Sequence, residues 1–208
     1  MTSLHVTGEN EKAFEFSWEP EVDLSGKAIL VFGGAGTLAE TFAYAAGCCG
    51  AELTIVDREA PDDAERNRIE ARLSGIVRNL RDLGAAEPLV YLSDVTSPAE
   101  MRTVCAEVVE KRGAIDVAVD FAGVHHPAFD LSKDDVGEMA ETFRRVLEVN
   151  LTGAFVFTAA AAQAMVPRRR GHIIHLCSSG SRLSLYGSYA YNASKHGLEG
   201  LVKTAAAQ

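Results

Sequence analysis

The sequence predicts an α/β fold: a doubly wound parallel sheet with helices on both faces. Three observations carry that expectation. Short apolar runs recur along the chain without polar interruption, as in strands covered on both faces. Stretches with helical spacing separate them, and Gly or Pro punctuates most of the joins. Strands separated by helices imply parallel pairing through right-handed crossovers.

Residues 1–22 read as an arm in front of one domain spanning residues 23–208. Phe14, Phe16 and Trp18 alternate with Glu15, Ser17 and Glu19, which is strand periodicity, and Pro20 breaks it. Three aromatics on one face call for burial, against this domain or against a neighbouring subunit. Ala28-Ile29-Leu30-Val31-Phe32 is the first buried-type strand, and the turn Gly33-Gly34-Ala35-Gly36 leads into a helix from Thr37 to about Cys49. Glu52-Leu53-Thr54-Ile55-Val56 is the second strand and ends at Asp57. Over residues 64–83, Ile69, Leu73, Ile76, Val77 and Leu80 fall at helical spacing, and Gly84 stops the helix. Leu89-Val90-Tyr91-Leu92 is the third strand, closed by Ser93-Asp94-Val95. Pro98 suits the first turn of the next helix and Gly113 its end. Ile115-Asp116-Val117-Ala118-Val119 is the fourth strand, residues 134–165 are mostly helical with a break near Gly153, and Ile173-Ile174-His175-Leu176-Cys177 is the fifth strand. A last helix carries Tyr191 and runs to Ala207.

Composition narrows the function. The 208 residues are 47% hydrophobic and 24% charged, ordinary for a soluble globular domain. The net charge of −9 argues against general nucleic-acid binding, which needs a basic face. The basic run Arg168-Arg169-Arg170 reads as a solvated turn before a strand. The N-terminus lacks a basic segment followed by an apolar one, and Gly, Arg or Gln interrupts every long apolar run, so a cytoplasmic protein without membrane spans is expected. Cys48, Cys49, Cys105 and Cys177 lack metal-ligand or disulfide spacing and read as buried thiols; no metal site is expected.

The order strand, glycine turn, helix, strand, acid is that of a Rossmann-type dinucleotide-binding unit. Glycine lets the backbone approach a pyrophosphate, and the following helix turns free N–H groups and its positive end toward it. Asp57, at the end of the second strand, would meet the adenosine ribose hydroxyls and repel a 2′-phosphate, which points to NAD over NADP. Arg58 beside it weakens that preference slightly. Downstream, Tyr191 and Lys195 are four apart, so on a helix they share a face. A phenol is a weak acid near pH ~10. An ammonium beside it favours the phenolate and makes it a usable base.

With these elements in place the chain resembles the short-chain dehydrogenase/reductase family from Leu24 to Gln208. A serine thirteen residues before the tyrosine matches Ser178, with Ser179 in reserve, and an asparagine on the preceding long helix matches Asn150 in Val149-Asn150-Leu151-Thr152-Gly153. The resemblance implies a catalytic set of Asn150, Ser178, Tyr191 and Lys195. Tyr191 would exchange a proton with the substrate oxygen, and Ser178 would hydrogen-bond that oxygen. Lys195 would hold the nicotinamide ribose and favour the Tyr191 phenolate, while Asn150 would keep the helix and a water in place. The implied cofactor is NAD, contacted by Gly33, Gly36, Thr37, Leu38, Asp57, Asp94, Val95, Ala122, Gly123, Tyr191 and Lys195. The implied substrate is a small alcohol or carbonyl compound.

Three departures stand beside the match. Phe32-Gly33-Gly34-Ala35-Gly36-Thr37-Leu38-Ala39 keeps only the first of the family's three motif glycines. Asp120-Phe121 replaces the two asparagines that normally lock the fourth strand, and Phe121 cannot make their hydrogen bonds. Family members continue past Gln208 into further strands and a substrate-covering loop, so the sequence reads as C-terminally truncated, with its fifth strand at a sheet edge. The alternative to an oxidoreductase is therefore a non-catalytic binding or scaffolding subunit of the same fold. His125 and His126 stand where the substrate pocket begins, although a polar loop is the simpler reading. Tyr186 and Tyr189 line that pocket or simply pack. His172 and His175 read as structural. The resemblance also implies a homodimer or homotetramer, assembled through the helices containing Asn150 and Tyr191.

Overall fold

A computed structural model describes residues 3–6, 14–17, 22–60 and 62–208. Strands β1 (Ser3–Val6) and β2 (Phe14–Ser17) form an antiparallel pair, so the alternation at Phe14 and Phe16 is a strand. Trp18 lies outside the described residues.

The main sheet contains β3 (Ala28–Phe32), β4 (Glu52–Asp57), β5 (Leu89–Leu92), β6 (Val117–Asp120) and β7 (His172–His175). All pairs are parallel, in the order β5-β4-β3-β6-β7. The last two strands lie slightly off the expected spans, because β6 begins two residues later and β7 ends two residues earlier. Every residue of β3 is buried, which is why its sequence is continuously apolar rather than alternating.

The two faces of β3 feed two cores. Ile29 and Val31 pack with Leu53, Ile55, Leu73, Ile76 and Leu80, under α1 (Thr37–Cys48) and α2 (Asp63–Asp82). Leu30 and Phe32 pack with Met101, Val104, Val108 and Phe157, under α3 (Pro98–Arg112) and α5 (Ala154–Met165). Phe32 meets Phe157 edge to face at 5.9 Å. The sheet is thus doubly wound, as the sequence predicts.

Local chemistry sets the helix limits. The Asp62 side chain accepts the Glu65 N–H at the start of α2. Pro98 opens α3 and left-handed Gly113, φ 76°, closes it. The break expected near Gly153 is instead a π-helical segment, Glu148–Gly153, joining α4 (Val136–Leu147) to α5 without interrupting the helix. The continuous path Val136–Arg168 is 33 residues long and, by length and composition, apolar enough to cross a membrane, contrary to the expectation from sequence. Part of its apolar content is packed, since α4 lies on α6 (Tyr189–Ala205) and α5 on α3 and the sheet, while Val136, Phe155 and Val166 are exposed. The arginine run is less free than a solvated turn: Arg168 and Arg170 lie 3.8 and 3.9 Å from buried Asp116, whose carboxylate also accepts the Ala28 N–H. The thiols also differ from expectation, as Cys105 is buried but Cys177 is exposed.

Candidate active site

Parallel register brings Phe32, Asp57, Leu92, Asp120 and His175 together at the carboxyl ends of the five strands. From β3 the chain winds outward to β4 and β5, then returns to β6 on the other side. A cleft opens at such a switch point, where ligands of open α/β sheets bind.

One wall of the cleft is the glycine turn. Gly33 has φ 71°, and a Cβ there would lie 2.6 Å from the Ala122 nitrogen, so only glycine admits this approach between the ends of β3 and β6. Gly34 abuts Ile55, where a Cβ would sit 2.3 Å from the side chain. Gly36 is the extended cap of α1 and makes no side-chain cap. Gly36, Thr37 and Leu38 are all exposed, so the first turn of α1 presents its N–H groups outward. The two motif glycines replaced in this sequence are thus not needed to form the turn, because Gly33 and Gly34 occupy its tight positions.

Asp57 anchors the turn from the side. Its carboxylate accepts the Ala35 N–H at 2.7 Å and the Arg58 N–H at 2.8 Å. The neighbouring guanidiniums are engaged elsewhere, Arg58 with Glu65 and Arg72 with Glu40. Asp94 is exposed and holds Thr96 through both the backbone N–H and the hydroxyl. Val95 is buried in the core rather than open to the cleft, and Gly153 leaves room for it, since a Cβ there would meet Val95 at 2.7 Å.

Asp120 does the locking for which Phe121 is unsuited. One carboxylate oxygen accepts the Ala122 N–H at 2.9 Å, and the other bonds His175 Nδ1 at 3.1 Å. The second His175 nitrogen meets the Thr158 hydroxyl at 2.8 Å, so a buried chain ties β6, β7 and α5 together. Phe121 packs on Phe42 of α1, centroids 5.6 Å apart. The strand is held, by a different set of groups from the two asparagines.

The four residues of the implied catalytic set surround the ends of β6 and β7. The buried Asn150 amide accepts the Val124 N–H at 2.7 Å and donates to the Val124 carbonyl at 2.9 Å and to the Ser194 hydroxyl at 3.2 Å. Lys195 is also buried, and its Nζ donates to the Leu176 carbonyl at 2.9 Å, just past β7. A Cβ on Gly123 would lie 3.5 Å from Asn150 Oδ1 and 3.9 Å from Lys195 Nζ, which puts the three side by side. Lys195 Nζ lies over the Tyr191 ring, 5.8 Å from its centroid. Ser178 caps a short 3-10 turn (Ser179–Ser181): its Oγ accepts the Gly180 N–H at 3.1 Å, which leaves the hydroxyl proton free to donate outward.

His125 belongs to this group although a polar loop was the simpler reading of it. Its ring packs on Tyr191, centroids 4.8 Å apart, and its Nε2 is 3.5 Å from the Ser188 hydroxyl. His126 is buried with its ring stacked on His125, centroids 5.5 Å apart, while Tyr186 and Tyr189 are exposed. The place of His125 in the loop after β6, two residues past Gly123, is the signal that set it where the substrate pocket was expected to begin.

A profile described as short chain dehydrogenase matches residues 27–208. The chain belongs to that family. It is 31% identical over 186 residues to the mitochondrial borneol dehydrogenase of Lavandula x intermedia, covering 89% of this chain and 64% of the relative. Among solved structures, NAD+-bound xylitol dehydrogenase superposes with a TM-score of 0.76 at 25% identity, covering 88% of this chain and 64% of the other. An actinorhodin polyketide ketoreductase with NADPH gives 0.73 at 29% identity, covering 86% and 63%. The chain thus spans somewhat less than two thirds of the length of these relatives.

Proposed function

We propose that the protein is an NAD(H)-dependent oxidoreductase that interconverts a secondary alcohol and a ketone, with Tyr191 as the acid/base. The observation that carries this reading is Lys195, a buried ammonium fixed to the Leu176 carbonyl, over the Tyr191 ring and beside Gly123 and Asn150. Lys195 is thereby held on the same helix face as Tyr191. Its remaining two N–H groups are available to ribose hydroxyls and to water.

The cleft suits a dinucleotide. Gly33 lets the backbone close to within contact of Ala122, the open N-terminus of α1 suits a pyrophosphate, and Asp57 retains acceptor capacity for ribose hydroxyls. The Asp57 side chain at the end of β4, with Arg58 and Arg72 already paired to carboxylates, supports NAD over NADP. When bound, the nicotinamide ring supplies hydride acceptance or donation.

The chain's own residues handle the proton and the geometry. In oxidation the Tyr191 oxygen takes the proton of the substrate hydroxyl as the carbonyl forms; in reduction it returns one to the carbonyl oxygen. Ser178 donates its free proton to the same oxygen, where negative charge builds up. Asn150 supports both partners indirectly, through Val124 beside the cleft and Ser194 on the helix of Tyr191 and Lys195.

Turnover of secondary alcohols with NAD, scanned over a panel and repeated with Tyr191→Phe, tests the assignment. The expected result is loss of turnover by several orders of magnitude with NADH affinity nearly unchanged. Unaltered turnover in the variant would remove Tyr191 from the chemistry. A protein that binds NADH but acts on no alcohol or ketone would favour the binding-subunit reading. Assembly as a homodimer or homotetramer is proposed with it, since Phe155 on α5 and Val136 on α4 are exposed apolar residues on the helices concerned. A monomer in light scattering would contradict that assembly.

A further inference from the structure

Glu199 stands on α6 one turn beyond Lys195, so Tyr191, Lys195 and Glu199 form one stripe at four-residue spacing. One Glu199 oxygen accepts the Ser181 hydroxyl at 2.9 Å and the Arg182 Nε at 3.1 Å, and the other accepts Lys203 Nζ at 3.2 Å. Ser181 is buried; its N–H donates to the Ser178 carbonyl, and its single hydroxyl proton lies between that carbonyl and the Glu199 carboxylate. Ser178 in turn caps Gly180 through its own side chain. The Glu199 carboxylate therefore fastens the turn bearing Ser178 to the helix bearing Tyr191, beside the Lys195 bond to Leu176 and the Asn192 bond to Leu185. No secondary-structure ladder joins those two segments.

We propose that Glu199 is a positioning residue that sets the Ser178 hydroxyl against Tyr191 by clamping the Ser178–Arg182 turn onto α6. The inference rests on the catalytic reading above, and it concerns how two of those groups come to face one substrate oxygen. Misplacing a catalytic group by about 1 Å can cost ~100-fold in rate, so a clamp of this kind acts on chemistry more than on binding. The carboxylate suits the task. The Ser181 hydroxyl, then Arg182 and Lys203, hold Glu199 down to about 2, so it stays charged at any working pH.

Glu199→Ala, Glu199→Gln and Ser181→Ala in the full chain provide the test, read by amide exchange at Gly180 and Ser181, by NADH binding, and by kcat and KM. The expected result for Glu199→Ala is exchange at both amides about tenfold faster, kcat at least tenfold lower, and NADH affinity within twofold of wild type. Glu199→Gln keeps an acceptor for Ser181 and should recover part of the loss. Should Glu199→Ala fail to fold, Ser181→Ala carries the same expectation, since it removes one hydroxyl only. Unchanged exchange, or faster exchange with unchanged kcat, overturns the clamp. A wild-type protein that neither binds NADH nor turns over an alcohol refutes the catalytic reading instead, and the exchange data then still decide whether Glu199 holds the turn.

Discussion

Asn150 pairs with Val124 as if it were a strand neighbour: its side-chain amide accepts the Val124 N–H and donates to the Val124 carbonyl. The bonding capacity of that peptide segment, just beyond β6, is thereby met by one side chain from the π-helical segment. Asn150→Ala would leave the Val124 N–H and C=O without these partners. Each buried group left unsatisfied costs about 1–3 kcal/mol. Chemical denaturation should show a loss in that range or above, and Asn150→Asp should lose no less, because a carboxylate accepts the Val124 N–H but offers no N–H to the Val124 carbonyl and buries a charge.

Asp120 and His175 make a second buried support. Each buried group left without its partner costs about 1–3 kcal/mol, and Asp120 serves both the Ala122 N–H and His175. Asp120→Ala should therefore lower the denaturation midpoint sharply, and Asp120→Asn much less, since the amide oxygen can keep the Ala122 N–H. Equal loss in the two variants would show that the carboxylate charge, not the hydrogen-bond geometry, is what β6 requires.

The glycine turn makes a position-specific statement. Gly33→Ala meets both a left-handed φ, worth about 1–2 kcal/mol for a residue with a Cβ, and a backbone contact at 2.6 Å. Gly36→Ala keeps an ordinary φ, −74°, and meets only a milder contact, 3.1 Å from the Gly33 carbonyl oxygen. Thermal melts should fall substantially for the first and by only a few degrees for the second. Comparable melts would mean the close approach of β3 and β6 is not required.

Acid stability should report the Glu199 clamp. Its carboxyl is lowered from 4.5 to about 2 by the Ser181 hydroxyl and by Arg182 and Lys203. A group depressed on folding stabilises the fold above its unfolded value and loses that contribution as pH falls through the folded value. The stability gap between wild type and Glu199→Gln should be constant above about pH 5, shrink from there downward, and close near pH 2. A gap that grows toward acid would contradict the assignment.

Thiol chemistry separates the cysteines. Burial pushes the Cys105 thiol up to about 11, while Cys177 is exposed. Alkylation of the folded protein near pH 8 should label Cys177 and spare Cys105, read by peptide mass mapping. Labelling of Cys105 at a comparable rate would mean the core under α3 opens readily.

The parallel, doubly wound sheet was legible because parallel strands buried on both faces must be continuously apolar, as Ala28–Phe32 is. Spacing alone singled out Tyr191 and Lys195, and the family resemblance added Asn150 and Ser178. What holds them was not legible. The Asp120 to His175 bond joins residues 55 apart, and Glu199 to Ser181 joins residues 18 apart; each depends on register or loop path that local periodicity does not encode. His125 came to Tyr191 the same way. The π-helical segment was visible only as a weakness at Gly153, since the glycine marks where Val95 packs and not where a helix ends. Val95 itself went to the core because its neighbours supply apolar contacts that adjacency to Asp94 does not reveal.

A titration of the full chain with NADH and with NADPH, followed by cofactor fluorescence and repeated with Asp57→Ala, tests the central claim most directly. The expected result is saturable NADH binding below millimolar, weaker NADPH binding, and a loss of NADH affinity of about tenfold in Asp57→Ala, the ~1–2 kcal/mol of charge-assisted hydrogen bonding to the ribose. No binding of either cofactor at millimolar concentration would contradict it.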